Sequence, residues 1–156
     1  MKEPTLNLIE EKLKSKGIKE YEIFLLEQNI FENIYLKAEI ENERNVNAYD
    51  YTIRILNQKR DKTGIGYVKG NSLNPKEIEK NIESCVALSK SILDSKYEFP
   101  TKHKIPEVIT ADSSVLKDPI GTKKDYSEEL ISEIQNQKGV SPTFGRFRVH
   151  IDNQYL

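Results

Sequence analysis

Hydrophobic positions in the first sixteen residues recur at helical spacing. Leu6, Ile9 and Leu13 share one face while Glu10, Glu11, Lys12 and Lys14 fall elsewhere, which predicts an amphipathic helix over 5–16 stopped by Gly17. From Tyr21 the period falls to two. Ile30, Ile34, Leu36, Ala38 and Ile40 occupy one side of a strand and Asn33, Lys37 and Glu39 the other, with Glu32 a lone charge on the apolar side. Noisier alternation over 20–27, 41–48 and 49–56, the last with Tyr51, Ile53 and Ile55 on one face, predicts four antiparallel strands in a meander. The polar run Asn57 to Lys62 reads as a turn, and Thr63 to Lys69 as a fifth strand whose Gly64 and Gly66 mark a bulge or a close backbone approach.

Asn74, Pro75 and Glu77 then open a helix as cap, first residue and capping-box acid. Ile78, Ile82, Cys85, Val86 and Ile92 give it one apolar face, predicting a helix from Pro75 to about Asp94. The stretch Tyr97 to Gly121 contains Pro100, Pro106 and Pro119 and holds neither period for long, so an extended connection is expected. Thr122 is the expected cap of a third helix carrying Tyr126, Leu130, Ile131 and Ile134, with Gly139 beyond its end. A last strand, Thr143 to Tyr155, sets Phe147, Val149 and Ile151 against Arg146, Arg148 and His150. The fold class is α+β: an N-terminal helix, an antiparallel meander of about five strands, a long capped helix, a proline-containing connection, a third helix and a final strand. Three regions follow: a helix, meander and helix core over 1–96, the connection over 97–121, and a helix with the start of a further strand over 122–156.

A chain of 156 residues can bury a core without disulfide or metal staples. With Lys+Arg 24 against Asp+Glu 25 the net charge is −1, which argues against the broad basic footprint of a nucleic-acid binder. No run is long and apolar enough to cross a bilayer, the first segment is too charged for a signal core, and the single Cys85 fits a reducing compartment. A cytoplasmic location is expected, without a membrane partner.

Catalytic signatures are missing. There is no Gly-x-Ser-x-Gly elbow, His-Glu-x-x-His helix, Walker loop or Cys-x-x-Cys pair. A zinc site would have to combine the two histidines, His103 and His150, with Cys85 or a carboxylate; Cys85 reads as a small core residue instead. The Gly64–Gly70 stretch before a helix imitates a phosphate loop but has the wrong spacing. Arg146-Phe147-Arg148 interleaves cations with an aromatic ring, yet strand alternation turns Phe147 away from both arginines. The acidic pairs Glu10-Glu11, Glu41/Glu43 and Glu128-Glu129 read as solvated faces. No catalytic or metal-binding residue is assigned. Arg54, a cation on the polar side of an apolar strand, reads as a cross-strand ion pair with a structural or interface role.

The pieces Tyr51-Thr52-Ile53-Arg54-Ile55-Leu56, a turn ending in Asp61, Gly66-Tyr67-Val68, Asn71-Ser72-Leu73-Asn74 and a helix bearing Ala87-Leu88, with Lys16-Gly17, Phe99-Pro100 and Asp118-Pro119 as flanks, form a pattern. It resembles the N-terminal domain of the TldD/TldE (PmbA) family, also called modulators of DNA gyrase. Arg54 and Gly66 match positions of that pattern, and with Tyr67 they are the candidate structural or interface residues. Tyr49-Asp50-Tyr51 stands where many members have glycines. The resemblance implies a zinc metallopeptidase parent of the TldD type, or its metal-free TldE counterpart. The zinc ligands lie in a His-Glu-x-x-x-His helix and a later Cys of the C-terminal half, which this chain lacks, so the chain itself is expected to hold no cofactor and to be inactive alone. It also implies a homo- or heterodimer with a related subunit, and a non-catalytic part in assembly and in admitting unfolded peptide. The last strand then reads as running on into a peptidase domain. An extended peptide could add to a free sheet edge, expected among the strands between Ile30 and Lys69. Two other readings stay open: a free-standing protein-binding or regulatory module, and a nucleic-acid module using Arg146, Arg148 and the turn near Lys59.

Overall fold

The structure, a computed structural model, describes residues 2–100, 106–140 and 144–156; His103 and Thr143 lie outside the described residues. Helix α1 (Lys2–Ser15) is followed by the long strands β1 (Glu20–Leu36) and β2 (Glu39–Lys59), then β3 (Lys62–Gly70) and α2 (Pro75–Ser91). The short strand β4 (Leu93–Ser95), helices α3 (Ser113–Lys117) and α4 (Pro119–Gln135), and strand β5 (Phe144–Tyr155) complete it. One five-stranded sheet has the order β4-β3-β2-β1-β5, so the architecture is α+β as the patterning predicts.

The four strands expected between Glu20 and Leu56 are two long ones. No Gly or Pro stands near Glu27–Ile30 or Ala48–Tyr49 to stop a strand, and loss of strict alternation there did not end either. The turn falls instead inside the expected strand 30–40, at Lys37 (φ 51°) and Ala38 (φ 68°), two successive left-handed residues that match a type I′ hairpin. Such a turn ordinarily advertises itself through Asn or Gly; Lys-Ala carries no such signal. The free edge expected among Ile30–Lys69 is present in part: β2 pairs with β3 only over residues 51–59 and β3 with β4 only over residues 62–64, so among the described residues the outer sides of 39–50 and 65–69 have no strand partner, while β4 and β5 end the sheet order.

α2 ends at Ser91 rather than near Asp94, because Leu93–Ser95 leaves the helix to pair with Lys62–Gly64 of β3. Ile92, expected on the apolar face, is the C-cap and is exposed. The cap of α4 is Asp118, not Thr122. Its side chain accepts from Gly121 N at 2.8 Å and Pro119 takes the first helical position, where its missing N–H costs nothing. The expected extended connection contains α3, capped by Asp112.

The chain divides into two compact units: residues 1–27, 49–105 and 153–156, and residues 28–48 and 106–152. In the first, α1 and α2 cover one face of the sheet, and Ile9, Leu13, Ile23, Leu25, Tyr51, Ile53, Ile55, Ile78, Ile82 and Cys85 form the core. Each buried aliphatic side chain contributes roughly 1.5–3 kcal/mol, against about 0–1 for an exposed pair such as Lys12–Glu79 (3.0 Å) or Lys16–Glu83 (3.1 Å). This unit is held by its apolar core. Gly17, at φ +73°, reverses the chain after α1.

The second unit is built differently. Its buried side chains are Tyr35 and Val149 together with the polar Glu32, Asn33, Lys123 and Ser127. Lys123 is 1% exposed and bonds Glu43, while Asn33 donates to the hydroxyls of Tyr35 (3.2 Å) and Ser127 (3.5 Å). Tyr126 of α4 stacks on Phe147 of β5, ring centroids 6.3 Å apart.

Candidate functional site

Candidate residues occur on each unit. In the first unit the register of β2 and β3 sets Arg54 opposite Tyr67 and Ile55 opposite Gly66. Alternation therefore places Arg54 and Tyr67 on one face and Gly66 on the other. Gly66 lies against α2: a Cβ there would come within 2.0 Å of the Cys85 carbonyl oxygen, and one at Gly64 within 1.7 Å of that of Ser89. The glycines thus mark close approach, bringing α2 down on β3. Cys85 is buried beneath, its thiol pushed up to about 11 by burial. Such a thiol is a core group and not a nucleophile.

On the face away from α2, Arg54 donates from Nε to Glu22 Oε2 at 2.9 Å and from Nη2 to the same oxygen, the cross-strand pair that the residue pattern suggests. The Phe99 ring lies 5.0 Å from the guanidinium carbon, and Tyr97 meets Phe99 edge-on. The segment reaching Phe99 is tied to the sheet: Thr63 Oγ1 and Gln58 Nε2 donate to Tyr97 O at 3.1 and 2.7 Å. Beside this clamp Tyr67 is 55% exposed and Ile65 is exposed as well. Arg54 and Tyr67 therefore form a fixed cation next to an open aromatic surface, an arrangement suited to contact and lacking any assembled nucleophile or base.

In the second unit the unexpected centre is Glu32. Its side chain has no exposed surface, although it lies among charged residues. Arg148 donates to Oε2 from Nε (2.9 Å) and Nη2 (2.6 Å), Arg146 Nε stands 3.3 Å from that oxygen, and Arg44 Nε lies 2.7 Å from Oε1 without hydrogen-bond alignment. The hydrogen bonds from Arg148 hold the Glu32 carboxyl below its usual range against the opposing effect of desolvation, helped by the charges of Arg146, Arg148 and Arg44. Two of these arginines were visible as an alternating pair on the last strand, and Glu32 as a lone charge on an apolar side. Arg44 carried no signal.

Next along β5, His150 Nε2 is 2.9 Å from Asp152 Oδ1, and Gln28 Nε2 donates to Asp152 at 3.2 Å. Among the described residues no three His, Cys, Asp or Glu side chains converge to hold a metal. An apolar hollow of about 50 Å³, lined by Tyr35, Leu130, Ile134, Phe144 and Phe147, is well below the roughly 300–1,000 Å³ of a small-molecule site. Among the described residues no helix is long and apolar enough to cross a membrane.

No protein-family model matches the sequence, and no curated protein matches it. Solved structures do match in three dimensions. TldE from Thermococcus kodakarensis superposes with a TM-score of 0.68 at 18% identity, over 95% of this chain and 33% of that one. A protein of Thermotoga maritima MSB8, described as a candidate modulator of a DNA gyrase, superposes with a TM-score of 0.67 at 17% identity, over 99% of this chain and 34% of that one. Both neighbours belong to the TldD/TldE family that the sequence pattern resembles, and this chain has the fold of about a third of each.

Proposed function

We propose that the chain serves as a non-catalytic domain of a TldD/TldE-type metallopeptidase, helping a related subunit to assemble and unfolded peptide to reach the catalytic chamber. The observation that carries the assembly part is the surface of the second unit. Tyr126 and Leu130 of α4 are 57% and 49% exposed, Ile120 is exposed on the same helix, and Phe144, Ile40 and Leu36 are exposed on the strands. The buried residues of α4 are the polar Lys123 and Ser127, and Ile131 and Ile134 are half-buried. Large apolar side chains gathered on one small unit are the ordinary mark of a protein contact. The fold shared with TldE supports a related subunit as the partner, and zinc chemistry belongs in this reading to other residues of the assembled system.

The test is sedimentation velocity of the chain, alone and mixed with a zinc-bearing TldD-type subunit. A complex that Leu130→Glu abolishes without lowering the melting temperature is the expected result. A chain that stays monomeric in both samples overturns the reading.

A further inference from the structure

The charge cluster of the second unit is unbalanced in a way that its structural role does not require. One guanidinium is enough to neutralise a buried carboxylate, and Arg148 does so with two hydrogen bonds to Glu32 Oε2. Arg146 and Arg44 stand beside it as well. Arg146 Nε lies 3.3 Å from the same oxygen, and Arg44 Nε, 2.7 Å from Oε1, is not aligned to donate, so Oε1 has no hydrogen-bond partner. Three positive charges therefore meet one negative charge, and among the described residues no second acid lies within ion-pair reach of these arginines. Asp152 does not restore the balance: it is engaged by His150 and Gln28, about 13 Å of strand beyond Arg148. Glu32 is fully covered, whereas the side chains of Arg44, Arg146 and Arg148 keep 51%, 50% and 37% of their surface open. A guanidinium carries five N–H donors, so unused donors remain within reach of solvent above the carboxylate.

We propose that Arg44, Arg146 and Arg148, converging over the buried Glu32, form a binding site for a dianionic phosphate group, free or as a monoester. The site lies on a face of the sheet and not at its edge. β1 runs between β2 and β5, so Arg44 from β2 and the two arginines of β5 lean over Glu32 from opposite sides. Alternation sets this face opposite α4, because the neighbouring Asn33 is the residue that meets Ser127 of that helix. The charge left over decides the ligand. Glu32 cancels one of the three cations and leaves two, the charge of a phosphate monoester above its second pKa of about 6. A carboxylate or a phosphodiester brings only one negative charge and leaves the cluster unbalanced. Guanidiniums also suit phosphate in shape, since their planar fork donates to two oxygens at once. Glu32 acts as the positioning residue: by holding Arg148 through two hydrogen bonds from beneath, it orders that cation before a ligand arrives and lowers the entropy cost of binding. Extended nucleic acid fits less well, because the cations form one compact cluster on a chain of net charge −1. The inference stands apart from the assembly reading, requiring neither a partner subunit nor a peptide.

The experiment titrates the whole isotope-labelled chain at about pH 8, in chloride at constant ionic strength, with inorganic phosphate and with phenyl phosphate, read by amide NMR shifts and by calorimetry. Expected is saturable binding of at least one of them, with the shifts centred on Glu32, Arg44, Arg146 and Arg148; the tighter of the two names the source, free phosphate or an ester. Dimethyl phosphate, a single negative charge of similar shape, should bind at least tenfold more weakly. The double variant Arg146→Gln/Arg148→Gln should lose at least tenfold in affinity, and Lys59→Gln, outside the cluster, should lose none. The shift map and the dimethyl phosphate comparison are made on the parent chain, so they decide the matter even where the double variant fails to fold. No saturation by either phosphate, shifts scattered over surface lysines, or equal binding of dimethyl phosphate would each overturn the inference. A twelve-nucleotide single-stranded DNA without terminal phosphates that bound as tightly as the better phosphate would also overturn it, assigning the arginines to a nucleic-acid surface.

Discussion

Gly66 faces the carbonyl of Cys85 so closely that a methyl group on its Cα would lie 2.0 Å from the oxygen. The contact explains how a 17-residue helix can rest directly on β3 with Ile78, Ile82 and Cys85 fully buried. Gly66→Ala must therefore push α2 away from the sheet along its length, because the obstructing atom is backbone and cannot rotate aside. Roughly 2–4 kcal/mol of destabilisation is expected, in the range of overpacked cores, seen as a lower urea midpoint with an unchanged slope. An alanine variant as stable as the parent would show that α2 does not sit on β3 as described.

Cys85 gives the same interface a pH signature. Its folded thiol is raised from 9.0 to about 11 chiefly by desolvation, so the neutral form is favoured in the folded state. The sign follows: the stabilisation is fully present below pH 9 and is lost as pH rises through about 11. Tyr51, raised by its own burial, adds to the loss in the same direction. Replacing Cys85 by Ala should flatten the fall in stability above pH 9 relative to the parent. At about pH 8 an aromatic disulfide reagent should modify the native thiol only as fast as the chain unfolds; rapid labelling would place Cys85 at the surface.

Much of this first unit was legible because its rules are local. Asn74-Pro75 announces a helix start through one missing donor and one capping side chain, and Gly64 and Gly66 announce close packing through what they lack. The paired role of Arg54 followed from a cation on the polar side of a buried strand. What was not legible depended on partners distant in the chain. Nothing near Lys37-Ala38 reveals a left-handed hairpin, and that turn is held by the strands it joins. Likewise Glu32 looked like a defect in an apolar pattern until β5, more than a hundred residues later, supplied two of its three arginines.

That charge cluster predicts an asymmetry between its members. Glu32→Gln leaves Arg44, Arg146 and Arg148 facing one another without a counter-charge, whereas Arg44→Gln leaves Glu32 with both bonds from Arg148. The first should lower the melting temperature by about 4–8 °C and the second by no more than about 2 °C. Acid has the same effect as the Gln substitution. Because the carboxyl is held below 4.5, its contribution is present above that pH and disappears as pH falls through the lower folded value. Scanning calorimetry between about pH 3 and 7 checks both points, and equal losses for the two variants would mean that Glu32 is not the hub.

Lys123 poses the complementary question, a cation 1% exposed whose partner Glu43 is half open to solvent. Burying an ammonium is costly, so the pair tells more about removal than about net stability. Glu43→Gln takes away the charge and leaves the ammonium in place, and about 1–2 kcal/mol of destabilisation is expected, with the rim position of Glu43 keeping the loss small. Lys123→Met keeps most of the stem's packing and removes the charge altogether, so that variant should match or exceed the parent. The double variant should then be no less stable than Lys123→Met alone, since the exposed amide that replaces the Glu43 carboxylate would have nothing left to satisfy. Denaturant melts of the three proteins give the coupling directly: a double variant less stable than either single one would mean that Glu43 holds β2 through contacts other than Lys123.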